Sequence, residues 1–392
     1  MTRASQTSRA VVQEAAARMR RGDRIGARAT LDGLSASVDE GDTPWLLLAQ
    51  IEQALGDDAA VDDALLRHLE RAPRELLGLL MLGAVRARRG DERGATTWYR
   101  TALAVASQPG AAPPPSYAPL LRDAQAFMTA ASERFAEHLE TAVRDAQLDR
   151  GPAGARIRAS LDLLMGRSEV FLQQPSMFYF PGLAQRAFFE REEFDWLPTV
   201  EAAVPAMRAE LDALIAADDG FAPYVQRTAA TPAPANPLLD DDRWSAQYLW
   251  RNGARSEPAA SRCPATIAAL AAAPIPVIEA RSPMALFSVL KPGAHIRPHH
   301  GLLNTRLICH VPLIAPDGCG LRVGAETRRW EAGKALIFDD SIEHEAWNRG
   351  TATRVVLLFE VWRPEITRNE RAALTRIFET IDDYQGAATD AG

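Results

Sequence analysis

Apolar residues follow two different rhythms along the 392-residue chain. Through residues 1–150 the sequence is rich in Ala, Leu, Arg and Glu and reads as helices. In the stretch 117–148, Leu121, Phe127, Ala131, Phe135 and Leu139 recur near the helical period, predicting one or two helices, with another over 155–165. The texture changes near residue 170, where FLQQPSMFYFPGLAQRAFFEREEFDWLP is aromatic and proline-rich. A helix around 200–217 and a proline-broken loop near 230–240 follow. From Met284 onward the apolar runs are short and punctuated by Gly or Pro: 285–290, 295–298, 305–313, 321–323, 327–330, 335–338, 344–347 and 354–361. Some eight short strands with turn signals between them predict a jelly roll, or double-stranded β-helix.

The helical part has its own period. Gly-Asp occurs at Gly22-Asp23, Gly56-Asp57 and Gly90-Asp91, in steps of 34 residues. Matching positions after each pair are small or apolar: Ala27, Val61 and Ala95, then Leu31, Leu65 and Tyr99. Such a helix–turn–helix repeat resembles the tetratricopeptide family, with Gly-Asp at the tight turn and the small residues where the two helices pack closely. A plain helical bundle is the alternative. PGAAPPPS at 109–116 breaks the pattern. Helices in front and strands behind give an α+β chain of two parts. These are a tetratricopeptide-like helical repeat domain over 1–150 and a cupin-like double-stranded β-helix with flanking helices over 165–385.

Composition narrows the classes of function. A net charge of −7 argues against a general nucleic-acid binder. The cysteines Cys263, Cys309 and Cys319 cannot close a disulfide framework and have no metal-finger spacing, so free thiols in a reducing compartment are expected. The N-terminus lacks the apolar core of a signal peptide. The apolar stretch nearest to a membrane span, residues 265–278, is short and broken by Pro274 and Pro276. A cytoplasmic protein with no membrane span is the simplest expectation.

Five of the seven histidines, His295, His299, His300, His310 and His344, fall within the proposed barrel; His68 and His138 read as solvated helix residues. Histidine is the commonest ligand for iron, zinc and copper, so the clustering suggests a metal. An iron oxygenase often uses two histidines and a carboxylate, the first pair at His-x-Asp or His-x-Glu spacing. Here Gly301 stands two residues after His299, and Arg297 two after His295, so neither supplies the acid. Asp339 and Asp340 lie in the turn before His344. From motif rules alone, an iron oxygenase and another cupin-like metal protein remain open.

The run PG-x-H-x-x-PH, N-x-R, H-x-x-L, G-C, W-E-x-G, FDDS-x-EHE-x-W and V-W-x-P-E, in this order, resembles the aspartyl/asparaginyl β-hydroxylase family. The resemblance extends more weakly back to QPSMFYFPGL near residue 174 and covers somewhat more than half the chain. It implies an Fe(II)- and 2-oxoglutarate-dependent dioxygenase that hydroxylates an unactivated carbon. Members hold iron with two histidines and no carboxylate, a water taking the vacant place, so Gly301 becomes a match. His299 and His344 resemble the iron ligands. Arg354 resembles the arginine that grips the cosubstrate's far carboxylate, helped by Ser288, and His310 a residue near its metal-chelating end. Arg306, which alternation sets on the face of His310, resembles a residue that holds substrate or braces the site. His295 and His300 read as supporting residues, Asp339 and Asp340 as turn residues able to orient His344, and Trp330, Trp347 and Trp362 as barrel core. One departure is Ile308, where animal members carry a second arginine; it puts their substrate in doubt. The substrate class implied is an aspartyl or asparaginyl residue, a related small molecule or an acyl chain; the 34-residue period, by itself, suggests repeats that recruit a protein substrate or partner. A tetratricopeptide adaptor with a structural or ligand-sensing barrel is the competing class.

Overall fold

A computed structural model describes residues 3–35, 43–217, 220–227 and 232–385, so residues 228–231 of the expected proline-broken loop lie outside the described residues. The chain divides into two compact units, Met1–Arg167 and Ser168–Gly392.

The first unit is helical. Its helices α1 (Arg3–Arg20) and α2 (Arg24–Ser35), α3 (Trp45–Leu55) and α4 (Asp58–Arg71), and α5 (Leu76–Arg88) and α6 (Glu92–Ala106) run as consecutive pairs. They are followed by the long α7 (Ala118–Asp145) and α8 (Gly151–Leu164). Each Gly-Asp pair performs two jobs at one turn. Gly22, Gly56 and Gly90 adopt φ of 83°, 85° and 75°, the left-handed conformation that ends a helix and that a side chain resists. The aspartate that follows then caps the next helix: Asp23 accepts from the Gly26 N–H, Asp57 from Ala59 and Ala60, and Asp91 from Gly94. Ala27, Val61 and Ala95, and Leu31, Leu65 and Tyr99, are all buried. The period therefore marks real hairpins with small or apolar contacts at fixed places. Two expectations need correction. Phe135 stands largely exposed on α7, so the apolar stripe does not continue into a core there. His68 is half-buried, 3.4 Å from the Glu75 carboxylate, rather than solvated.

The second unit is built on antiparallel sheets. Its strands are β1 (Phe188–Phe189), β2 (Ala222–Pro223), β3 (Trp244–Arg251), β4 (Ala254–Arg255), β5 (Ala285–Leu290), β6 (His295–His299), β7 (Arg306–Ile314), β8 (Cys319–Val323), β9 (Glu326–Arg328), β10 (Leu336–Phe338), β11 (His344–Asn348) and β12 (Arg354–Trp362). The larger sheet runs β1-β10-β7-β12-β5-β3-β2, with β4 on β3; the smaller runs β6-β11-β8-β9. Residues of both sheets share one apolar cluster, with Ile308, Phe338 and Val356 of the larger meeting Leu321, Val323 and Ala346 of the smaller. The two sheets thus close on each other as the strand pattern predicts. The eight-residue β3 lies before Met284, where no strand is expected. It pairs with β5 and carries Trp244, Ala246 and Leu249 into the core.

Strand alternation sends the other face of the larger sheet outward. Phe287, Val289, Leu307, Cys309, Val311, Leu357, Phe359 and Val361 pack there against helices. Those helices are α9 (Leu197–Ala202), α10 (Val204–Ala216), α11 (Ala259–Arg262) and α12 (Pro264–Leu270). The single helix expected over 200–217 is in fact α9 and α10, joined at Ala203 next to the Pro205 in the first turn of α10. A C-terminal helix, α13 (Arg368–Gln385), packs Leu374 and Phe378 against Phe178, Leu303 and Trp362. All three cysteines are free and buried. Among the described residues, no helix is long and apolar enough to cross a membrane.

Candidate active site

His299 ends β6 and His344 begins β11, and the two residues are direct partners in the antiparallel register. Their rings lie 4.1 Å apart between centroids. A bulge makes this possible. His344 pairs with His299 and Ala346 with Ile296, so β6 spends one residue more than β11 over the same span. Ile296 packs inward; without the extra residue, alternation would turn His299 away from it.

Both imidazoles are held in the same tautomer. Nδ1–H of His299 donates to the Arg297 carbonyl at 2.8 Å, and Nδ1–H of His344 to the Ile342 carbonyl at 3.1 Å. Each ring thereby keeps its Nε2 lone pair, the form a metal ligand needs. Burial pushes His344 down to about 3, and the nearby His299 adds to this. His299 keeps solvent access at the mouth of the site, yet neighbouring protein atoms also lower it, chiefly by desolvation. Both are neutral at pH 7.

Gly301 leaves room for an acid from elsewhere. A Cβ at position 301 would overlap the Asp340 carboxylate. Asp340 is buried, its Oδ1 has no hydrogen-bond partner, and burial pushes its carboxyl up to about 7. Asp339 is a brace. Its Oδ1 accepts from the Ser341 N–H and hydroxyl, and its Oδ2 from Gln173 Nε2 and the fully buried Arg363, both at 2.6 Å. Asn304 donates to Gln173 Oε1 and holds the backbone of Phe180 through its amide. The segment around residue 174 is thereby tied to both histidine-bearing loops.

Across the sheets, inward positions of β5, β7 and β12 bring Ser288, His310 and Arg354 to the same interior. Arg354 is 1% exposed, and among the described residues no carboxylate pairs with it. Its Nη1 donates to the Ser288 carbonyl at 3.4 Å, its Nε has no partner, and burial lowers it to about 10. Its guanidinium lies 4.7 Å from the centre of the Trp330 ring. His310 is buried and pushed well down, first by desolvation and then by the Arg354 charge. It sits edge-on to Phe338 at 5.0 Å, and Phe338 in turn lies 5.7 Å from the His344 ring. Arg306, on the inward face of β7 with Ile308, is ion-paired to the fully buried Glu360, which also accepts from the Ser282 hydroxyl. His295 lies away from this interior, with Nε2 2.6 Å from the Glu345 carboxylate, which Arg322 also engages. Trp330 and Trp362 are buried; Trp347 is only half-buried, beneath Arg349. Among the described residues, no group of three or more His, Cys, Asp or Glu side chains forms a metal-binding cluster.

Residues 201–364 match the model of the family described as aspartyl/asparaginyl beta-hydroxylase. That match spans less than half of the chain. The human aspartyl/asparaginyl beta-hydroxylase is 39% identical over 141 residues, 36% of this chain and 18% of that protein. The ornithine lipid ester-linked acyl 2-hydroxylase of Rhizobium tropici is 34% identical over 179 residues, 45% of this chain and 60% of that protein. Human aspartate beta-hydroxylase domain-containing protein 2 is 31% identical over 212 residues, 53% of this chain and 55% of that protein. The chain therefore spans less than two thirds of the length of each of these relatives. Among solved structures, the Schizosaccharomyces pombe Cnp3 cupin domain aligns at TM-score 0.21 and 11% identity, over 38% of this chain and 74% of that one.

Two features of this site escaped the sequence. Glu360 sits in an apolar strand and gives no signal of its role beside Arg306. Gln173 and Asn304 lie 131 residues apart, and only the fold joins them. The FDDS doublet does flag Asp339 and Asp340, but not that the two do different things.

Proposed function

We propose that this chain is an Fe(II)- and 2-oxoglutarate-dependent dioxygenase that hydroxylates an unactivated carbon. The observation that carries this is the pairing of two imidazoles with matched tautomers, 4.1 Å apart, with a buried guanidinium that lacks a carboxylate of its own. The donor set suits the ion: two neutral nitrogen ligands leave positions for a chelating keto acid, dioxygen and a water. His299 and His344 would hold the iron. Bound there, it supplies the redox chemistry that couples dioxygen and keto-acid decarboxylation to oxidation of a C–H bond, leaving succinate and carbon dioxide.

The protein's share is orientation. Arg354, preorganised in a dry setting, would clamp the far carboxylate of 2-oxoglutarate with help from Ser288. His310, neutral, would donate a hydrogen bond near the other end. Asp340, in the space that Gly301 leaves, would accept from a water beside the histidines. Arg306, held by Glu360, would orient the substrate carbon or brace the wall.

The relatives' names suggest two substrate classes for this chain, an aspartyl or asparaginyl residue and a lipid acyl chain, beside which a related small molecule is a third candidate. Ile308 in the interior favours a substrate other than that of the animal proteins. The 34-residue helical hairpins are read as tetratricopeptide repeats that recruit a protein partner, and a cytoplasmic location accords with the free thiols. The test is succinate formation from 2-oxoglutarate by purified protein with Fe(II). Iron-dependent turnover supports the proposal; no turnover, together with no thermal stabilisation by 2-oxoglutarate of the Mn(II)-loaded protein, would remove it and favour the adaptor reading.

A further inference from the structure

Trp330 reads from sequence as barrel core, yet its contacts are specific. Its indole Nε1–H donates to Nδ1 of His310 at 3.3 Å, with the ring planes 29° apart and the centroids at 5.9 Å. The opposite demand on the same side chain comes from Arg354, whose guanidinium carbon lies 4.7 Å from the ring centre. An N–H donor cannot share a hydrogen bond with a protonated ring nitrogen, so Nδ1 of His310 must carry a lone pair. The neutral ring then bears its hydrogen on Nε2. Meanwhile the indole face covers one side of the guanidinium by cation–π attraction. The Arg354 Nε is left without a partner, although the side chain is 1% exposed. A buried, unsatisfied donor on a fixed guanidinium is poised for an anionic oxygen.

We propose that Trp330 is a positioning residue that sets both ends of a dicarboxylate site at once, fixing the tautomer of His310 through its N–H and the plane of Arg354 through its ring. This rests on the cosubstrate role proposed for those two residues and adds the device that arranges them. Phenylalanine at 330 would keep an aromatic face over Arg354 but lose the N–H. His310 would then be free to exchange tautomers, and an Nδ1–H form would present the wrong hydrogen to a carboxylate.

The test uses the full chain with 15N-labelled histidine. In the parent protein without metal or ligand, His310 is expected to be a single Nε2–H tautomer; in Trp330→Phe it is expected to be a mixture. With Mn(II) loaded, the 2-oxoglutarate dissociation constant should rise about tenfold in Trp330→Phe, the worth of one hydrogen bond, and further in Trp330→Leu, which also loses the aromatic face. In turnover the KM for 2-oxoglutarate should rise more than kcat falls. A parent His310 found as the Nδ1–H tautomer would overturn the proposal without any variant, even if Trp330→Phe failed to fold. Unchanged tautomer and affinity in a folded Trp330→Phe would overturn it as well. Should the parent show the expected tautomer but bind no 2-oxoglutarate, the positioning role falls together with the cosubstrate role, and the intact tautomer locates the fault in the latter.

Discussion

His299 and His344 are register partners across a bulged antiparallel pair, and both give their Nδ1–H to the carbonyl two residues upstream. The backbone thus fixes which nitrogen each ring offers before any ligand arrives. Replacing either with Ala would remove one of the two proposed metal donors. Fe(II) retention after desalting and succinate formation should each fall at least ~100-fold, beyond the upper end of losses from residues that only support a ligand. Melting temperature, read alongside, should change little for His299→Ala, because that residue keeps solvent access.

Gly301 matters through what it leaves empty. A methyl group there meets the buried Asp340 carboxylate. Gly301→Ala should cost about 1–3 kcal/mol of stability by overpacking, measured by urea denaturation, and should weaken metal retention at the same time. Parent-like values for both would show that Asp340 can move freely.

Arg354 should show function and stability pulling apart. A buried cation with no carboxylate beside it is a burden on the folded state. Arg354→Met should leave stability within about 1 kcal/mol of the parent, or raise it. It should also weaken 2-oxoglutarate binding at least ~100-fold by removing a charge-assisted clamp. Calorimetric melting and titration of the Mn(II)-loaded protein measure the two effects.

The fully buried Arg363–Asp339 pair, at 2.6 Å, predicts the reverse. Arg363 also donates to the Ala184 carbonyl and to Glu365. Arg363→Met strands the Asp339 carboxylate in the interior and should cost about 3–5 kcal/mol. A loss below 1 kcal/mol in urea would mean that Asp339 finds another partner.

In the helical unit, Gly56→Ala and Gly90→Ala each force a Cβ into left-handed backbone with nothing nearby to clash. Each should cost about 1 kcal/mol from conformation alone, and circular dichroism melts should show the two losses adding.

Much of the architecture could be read from the chain because its causes are local. Gly-Asp at a 34-residue period announces a left-handed stop and a cap, and both residues do that work in the hairpins. Short apolar runs between turn residues mark β5 and the strands after it within a residue or two, since a two-residue period needs no knowledge of the partner. The strand β3 was not legible: SAQYLWR mixes polar and aromatic residues, and only pairing with β5 decides its state. Nor was the break between α9 and α10, where a proline divides one periodic stretch.

Read alone, the sequence singles out candidate residues for the chemistry: histidines near 299 and 344, an arginine opening an apolar strand, a glycine where an acid would stand. Residue type and spacing along one backbone suffice for that. Tertiary structure alone decided where they point and what they lack. A one-residue bulge set His299 on the face of Ile296, the turn 39 residues downstream brought Asp340 over Gly301, and burial left Arg354 with an unmet donor. Register, desolvation and unmet hydrogen bonds are properties of pairs distant in sequence, so no local pattern can encode them.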